Sequence, residues 1–96
     1  MKLRPEFKFL LYVADDTPNS AVALVNLKTI CEMHLRSSYE IEVIDVFKEP
    51  ARALADRILM TPILIRVMPG PEKRIVGTLS QPDKVLNALG LQPDVA

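Results

Sequence analysis

Residues 7–20 read FKFLLYVADDTPNS, and this stretch decides the fold of the 96-residue chain. Its first part, residues 7–14, is apolar almost throughout, which is typical of a strand buried on both faces of a covered sheet. After two aspartates, the Thr17 hydroxyl can cap the first free amides of a helix, and Pro18 suits the first helical position. The stretch therefore predicts a buried strand that leads directly into a helix.

The rest of the chain continues to alternate strand and helix patterns. The first helix keeps an apolar stripe at helical spacing and is expected to end near Arg36. The stripe consists of Leu24, Leu27, Ile30, Cys31 and Leu35. The elements expected after it are a strand at 39–46, a short helix at 51–59, strands at 63–68 and 74–79 around a turn at 69–72, and a last helix from Gln81-Pro82 to about Leu89.

This βαβαββα order predicts a single α/β domain over residues 1–96, with a mixed four-stranded sheet. A helical connection makes the first two strands parallel, and the turn at 69–72 lets the last two strands run antiparallel. The short helix is expected to turn Leu54 and Ile58 towards the sheet.

The composition argues against several kinds of partner. Twelve Lys and Arg balance twelve Asp and Glu, and only 5% of residues are aromatic, so nucleic acid is not expected to be the main partner. The apolar runs are shorter than the roughly 20 residues that a membrane span needs. Because the N-terminal sequence lacks a secretory signal pattern, a cytoplasmic location is expected.

The residues that could carry chemistry are few. The lone cysteine, Cys31, lies on the apolar stripe and is expected in the core, and the lone histidine, His34, is expected at the surface near a helix end. Asp15 and Asp16 could be paired carboxylates, but acidic residues at a helix N-terminus are expected on dipole grounds alone. The sequence therefore predicts no catalytic site, no metal site and no cofactor.

The element order, with Pro62 entering the third strand, resembles the thioredoxin plan. The resemblance implies that the Thr61–Pro62 bond is cis and faces the position of a redox site. However, the loop that carries CxxC in a thioredoxin reads ADDTPNS here, at residues 14–20. Two acidic residues there would raise the pKa of a thiol, which is the reverse of what thiolate chemistry needs.

A closer resemblance, over residues 7–91, is to the KaiB family of circadian-clock proteins. The matching pieces are LYVA at 11–14, TPNS at 17–20, VIDV at 43–46, IL at 58–59 with TP at 61–62, and Arg74-Ile75 with Gly77 and Leu79-Ser80. The resemblance implies a non-enzymatic regulator that binds the N-terminal ATPase ring of a KaiC-type ATPase, in circadian timing or in a stress response. Basic residues that could face an acidic patch on that ring are Arg57, Arg66, Lys73 and Arg74.

Members of this family can adopt two folds, a thioredoxin-like form and a tetrameric ground-state form. Where clock members carry Gly-Leu-Asp in the last helix, this chain has Ala88-Leu89-Gly90. Alanine is the better helix former by about 1 kcal/mol, so Ala88 and Gly90 are expected to favour the thioredoxin-like form. A dimer or a tetramer stays open as the oligomeric state.

KaiA, the third clock protein, is not expected as a partner. Glu40 and Glu42 lie on the expected solvent side of the second strand, and edge charges discourage strand pairing. Two other functions stay open: a redox-inactive, thioredoxin-like stress-response adaptor independent of KaiC, and a monothiol oxidoreductase that uses Cys31. The second needs an exposed thiol of low pKa at a helix start, whereas Cys31 falls several turns into its helix.

Overall fold

The protein is described by a computed structural model that covers residues 5–15, 17–35 and 38–91. The elements follow the predicted βαβαββα order. They are β1 (Phe7–Val13), α1 (Pro18–His34), β2 (Tyr39–Asp45), α2 (Pro50–Ala55), β3 (Ile63–Met68), β4 (Lys73–Val76) and α3 (Pro82–Ala88). Of the helices in this described part, none is long and apolar enough to cross a membrane.

The sheet has the strand order β2-β1-β3-β4, so β1 is central and β2 and β4 are the outer strands. β1 runs parallel to β2 and antiparallel to β3, and β3 runs antiparallel to β4. The α1 crossover makes β1 and β2 parallel, and the short turn at 69–72 makes β3 and β4 antiparallel. The predicted α/β fold with a mixed four-stranded sheet is confirmed.

Side chains that alternate along the strands build two apolar layers, one on each face of the sheet. On one face, which we call the α1–α3 face, the sheet contributes Phe9, Leu11 and Leu64 to a core completed by α1 and α3. The other face, the α2 face, carries α2 and the strand residues Leu10, Tyr12, Ile44, Ile63 and Ile65. β1 is therefore buried on both sides from Phe9 onwards, as its nearly continuous apolar run predicts.

The start of α1 is capped by side chains. The Thr17 hydroxyl accepts a hydrogen bond from the Ser20 amide over 3.4 Å, and Pro18 is the first residue of the helix.

Cys31 is fully buried in the core, as predicted. The helix ends at His34, which is half-buried; Arg36, where the end was expected, lies outside the described residues.

The expected end of the second helix is wrong, because α2 stops at Ala55 rather than near residue 59. The Ile58 amide donates to the Ala53 carbonyl and the Arg57 amide to the Leu54 carbonyl, which is the hydrogen-bond pattern of a Schellman termination. Ala53 and Ile58 then face the sheet, while Leu54 is 80% exposed. The expectation that Leu54 packs inward is therefore also wrong.

β4 is likewise shorter than predicted and ends at Val76. Gly77 and Leu79 have φ angles of 116° and 61°, which take the backbone out of the extended conformation. The Asn26 side chain on α1 donates to the Thr78 carbonyl over 2.9 Å and holds this segment against the α1–α3 face. Leu79 is buried there as part of the core.

α3 ends in a second Schellman termination. Gly90 takes the left-handed position with a φ of 75°, and the amides of Gly90 and Leu91 donate to the carbonyls of Asn87 and Leu86. Ala88 is therefore the last residue of α3, and Gly90 provides the left-handed residue that terminates the helix. That these two residues set the balance between the family's two folds stays a prediction.

Candidate protein-binding surface

Strand register separates the four basic residues that were expected to meet a partner. Arg74 pairs with Ile65 and therefore lies on the α2 face, whereas Lys73 pairs with Arg66 on the α1–α3 face. Arg57 is exposed just after α2. Arg57 and Arg74 can therefore belong to one surface, and Lys73 lies on the other side of the sheet.

Arg66 is buried, with only 6% of its surface exposed. Its Nη1 donates to the carbonyl of Leu89 at the end of α3, and its Nη2 donates to the carbonyl of Pro71 over 3.0 Å. This placement corrects the expectation that Arg66 faces a partner. Strand alternation puts it on the same face as Leu64, where α3 covers it.

The Arg57 backbone is in the left-handed region, with a φ of 56°. Arg57 occupies the position of the α2 termination that Gly90 occupies at the end of α3. Left-handed backbone costs a residue with a Cβ roughly 1–2 kcal/mol. Because strained backbone clusters at functional sites, this arginine is a candidate for function rather than for stability.

Exposed apolar side chains surround α2. Leu59 is 91% exposed, and the other members of this group are Phe47, Leu54 and Met60. Sequence reasoning missed all four: the four-residue spacing of Leu54 and Ile58 suggested that both face the sheet, and the other three were not considered as surface residues. The signal that was available is the pair Leu59-Met60, two large apolar residues directly before the Thr61-Pro62 turn.

The exposed group continues onto the outer strand β4. The Gly77 amide donates to the Pro62 carbonyl over 2.9 Å, so Val76 lies beside the segment that follows α2. Val76 is itself exposed and shares the α2 face with Arg74. We define the α2 surface as Phe47, Leu54, Arg57, Leu59, Met60, Arg74 and Val76.

A polar network fixes α2 on the sheet. The Arg52 guanidinium makes two hydrogen bonds to the Glu42 carboxylate of β2, at 2.6 and 2.9 Å, and lies 3.6 Å from Glu49. The bond to Arg52 lowers the pKa of Glu42 and raises the pKa of Arg52. Glu42, expected as a free edge charge, therefore holds α2 instead, while Glu40 is exposed and pairs with Lys8.

The described residues offer little for catalysis. They contain no group of three or more His, Cys, Asp and Glu side chains that could hold a metal ion. Asp15 is exposed in the turn before α1, and Asp16 lies outside the described part. Burial raises the pKa of the Cys31 thiol to about 12.

Comparison with known sequences decides the family. The sequence profile of the KaiB domain matches residues 10–91. The circadian clock oscillator protein KaiB of Gloeothece citriformis is 47% identical over 91 residues, which cover 95% of this chain and 86% of that protein. The chain belongs to the KaiB family. The KaiB of Synechococcus elongatus is also 47% identical, over 95% of this chain and 89% of its own length.

Solved structures agree with the fold of this KaiB-family chain. The N-terminal domain of SasA from Synechococcus elongatus superposes with a TM-score of 0.74 at 22% identity, covering 100% of this chain and 94% of that one. Mitochondrial thioredoxin 3 from Saccharomyces cerevisiae superposes with a TM-score of 0.70 at 13% identity, covering 90% and 78%. The thioredoxin-like fold is confirmed, and the Thr61–Pro62 bond is cis. The KaiB relatives are named as clock oscillator proteins, which supports a role in clock regulation.

We expect the Cys31 thiol to be unreactive in the folded protein. A thiol with a pKa of about 12 has almost no thiolate at pH 8, and the side chain is fully buried. Titration with a chromogenic disulfide should give no signal until urea unfolds the chain. Rapid stoichiometric reaction of the native protein would instead support the monothiol oxidoreductase.

Stability should also fall at alkaline pH. Cys31 has a pKa of about 12 in the folded state against an ordinary value of 9.0, so the unfolded state releases its proton first. Its contribution is fully present below pH 9 and is lost as the pH rises from about 9 to 12. Urea unfolding across this range, on the parent chain and on Cys31→Ala, should show a shallower decline for the variant.

The two Schellman terminations predict substitutions with opposite effects on the free energy of unfolding. Arg57→Gly should raise the free energy of unfolding by about 1 kcal/mol, because glycine adopts the left-handed backbone without strain. Gly90→Ala should lower it by about 1 kcal/mol, and a Cβ at Gly90 meets no atom within 4 Å, so backbone alone is responsible. Urea unfolding measures both; a loss of stability in Arg57→Gly would contradict the assignment of strain.

Proposed function

We propose that this KaiB-family chain is a non-catalytic binding protein that docks through the α2 surface on the N-terminal ATPase ring of a KaiC-type ATPase. Binding would serve regulation, in timing or in a stress response. The observation that carries the proposal is the α2 surface itself, where exposed apolar side chains on α2, in the segments that flank it and on the α2 face of β4 are accompanied by two exposed arginines.

The composition of the α2 surface fits a protein partner. Interface cores are rich in aromatic, methionine and arginine side chains; the α2 surface offers Phe47 and Met60 of these kinds, and the exposed Leu59 would also be buried on docking. Arg57 and Arg74 add positive charge, which suits acidic side chains on the partner. Glu72 pairs with Arg74 over 2.8 Å in the free protein, so on docking an acidic side chain of the partner would replace Glu72 beside Arg74.

The choice of a KaiC-type ring rests on family membership. The sequence profile spans residues 10–91, and this range contains α2, the turn after it and β4. The whole α2 surface therefore lies within the segment that the chain shares with its family.

The deciding experiment measures binding to the KaiC homologue of the same organism. Isothermal titration should detect association with the full-length ATPase and with its N-terminal ring alone, with ATP or with ADP present. The C-terminal ring alone is the matched control and should not bind. Failure to bind the N-terminal ring in either nucleotide would refute the proposal and favour the adaptor that works without KaiC. Light scattering on the same samples distinguishes monomer, dimer and tetramer.

A further inference from the structure

Tyr12 is a fully buried tyrosine in the central strand, on the α2 face. Its hydroxyl donates to Oδ2 of Asp56 and lies 3.4 Å from the Arg52 carbonyl oxygen. A phenylalanine would fill the same apolar site without a polar group to satisfy. Through its bond to Asp56, the Tyr12 hydroxyl connects the sheet to the residue that caps the end of α2.

Asp56 caps the end of α2 and directly precedes the strained residue Arg57. Left-handed backbone at a residue with a Cβ persists only where the surroundings hold it. The amides of Arg57 and Ile58 close the turn by hydrogen bonds to carbonyls of α2, and the Tyr12–Asp56 hydrogen bond ties the turn to β1. With six residues, α2 is too short to be stable without such tertiary contacts.

We propose that the Tyr12 hydroxyl is a positioning group for the α2 surface: by holding the Asp56 carboxylate it fixes the left-handed turn that presents Arg57 and Leu59 to the partner. The role in binding rests on the proposed function. Burial and the neighbouring Asp56 raise the pKa of Tyr12 to about 12, so the hydroxyl remains a donor even at moderately alkaline pH.

The first test uses the free protein and needs no partner. In Tyr12→Phe, amide hydrogen exchange should become about tenfold faster at Arg57 and Ile58, with a smaller change at Leu11 in the same strand. Asp56→Ala should reproduce this pattern, and Asp56→Asn, which keeps an acceptor oxygen, should stay close to the parent. Equal acceleration at all three amides would mean that the hydroxyl contributes only to global stability, and would overturn the proposal.

The second test asks whether Tyr12 acts through Arg57. Tyr12→Phe should weaken binding to the N-terminal ring about five- to tenfold in the parent chain, and clearly less in the Arg57→Ala background, where only the placement of Leu59 remains to be lost. An equal loss in both backgrounds would show that Tyr12 does not act through Arg57. Absence of binding by the unaltered chain would refute the proposed function instead, and the exchange data would still decide whether the hydroxyl fixes the turn.

Discussion

Replacing Arg66 by alanine is expected to lower the free energy of unfolding by about 3 kcal/mol. The guanidinium donates to the Leu89 and Pro71 carbonyls from a buried position, and hydrogen bonds from charged donors contribute about 1.5–3 kcal/mol each. Relief of the buried charge offsets part of this loss. A domain of this size has roughly 5–14 kcal/mol of stability in total, so urea unfolding will resolve the effect.

The milder variant Arg66→Lys separates charge from geometry. Lysine keeps the positive charge but has a single nitrogen, which cannot donate along both arms of the guanidinium fork. We expect Arg66→Lys to lower the free energy of unfolding by about 2 kcal/mol. Relative to the parent chain, amide exchange should accelerate more in α3 than in β1 and β2. A value for Arg66→Ala within 1 kcal/mol of the parent would show that the two carbonyls find other donors, such as water.

Reversing the charge of Arg57 or Arg74 is expected to raise the dissociation constant for the N-terminal ring at least tenfold. Both side chains lie on the α2 surface, and the reversal places a negative charge where the partner is expected to be acidic. The loss should shrink as salt rises, because exposed charges are screened. Leu59→Asn should weaken binding comparably at all salt concentrations, since it removes the most exposed apolar side chain of the surface without adding a charge.

Lys73→Glu is the matched control for Arg74→Glu. The two residues are neighbours on β4 and undergo the same change of charge, but strand alternation puts them on opposite faces of the sheet. Lys73→Glu should leave the affinity unchanged. Equal losses for both variants would mean that net charge, rather than the α2 surface, controls association. All of these exposed substitutions should change the free energy of unfolding by less than about 0.5 kcal/mol.

Most of the fold could be predicted from local signals. The apolar run at 7–14, the Thr17-Pro18 helix start and the Gly90 stop each act within a few residues, so sequence alone locates them. The ends of α2 and β4 could not be located in this way. The left-handed residue that follows α2 is an arginine, where glycine is the usual signal, and β4 stops because Gly77 and the buried Leu79 turn the chain.

The candidate surface was only partly predictable. Arg57 and Arg74 were chosen from their resemblance to family positions, and they share the α2 surface. Alternation along β4 puts Lys73 and Arg74 on opposite faces, but deciding which of them lies on the α2 face needs the β3–β4 register, which depends on the exact geometry of the turn at 69–72. Arg66 could have been assigned to the interior, because it alternates with Leu64 in a strand that is otherwise apolar.

The central position of β1 also affects folding while the chain is being synthesised. β1 leaves the ribosome first among the strands, but its neighbours β2 and β3 begin only at Tyr39 and Ile63. At roughly 5–20 residues per second, several seconds separate the synthesis of β1 from that of β3. During that time the most apolar segment of the chain has no antiparallel partner. The nascent protein is therefore most prone to aggregation before Met68 emerges, and a chain interrupted before β3 cannot bury its own first strand.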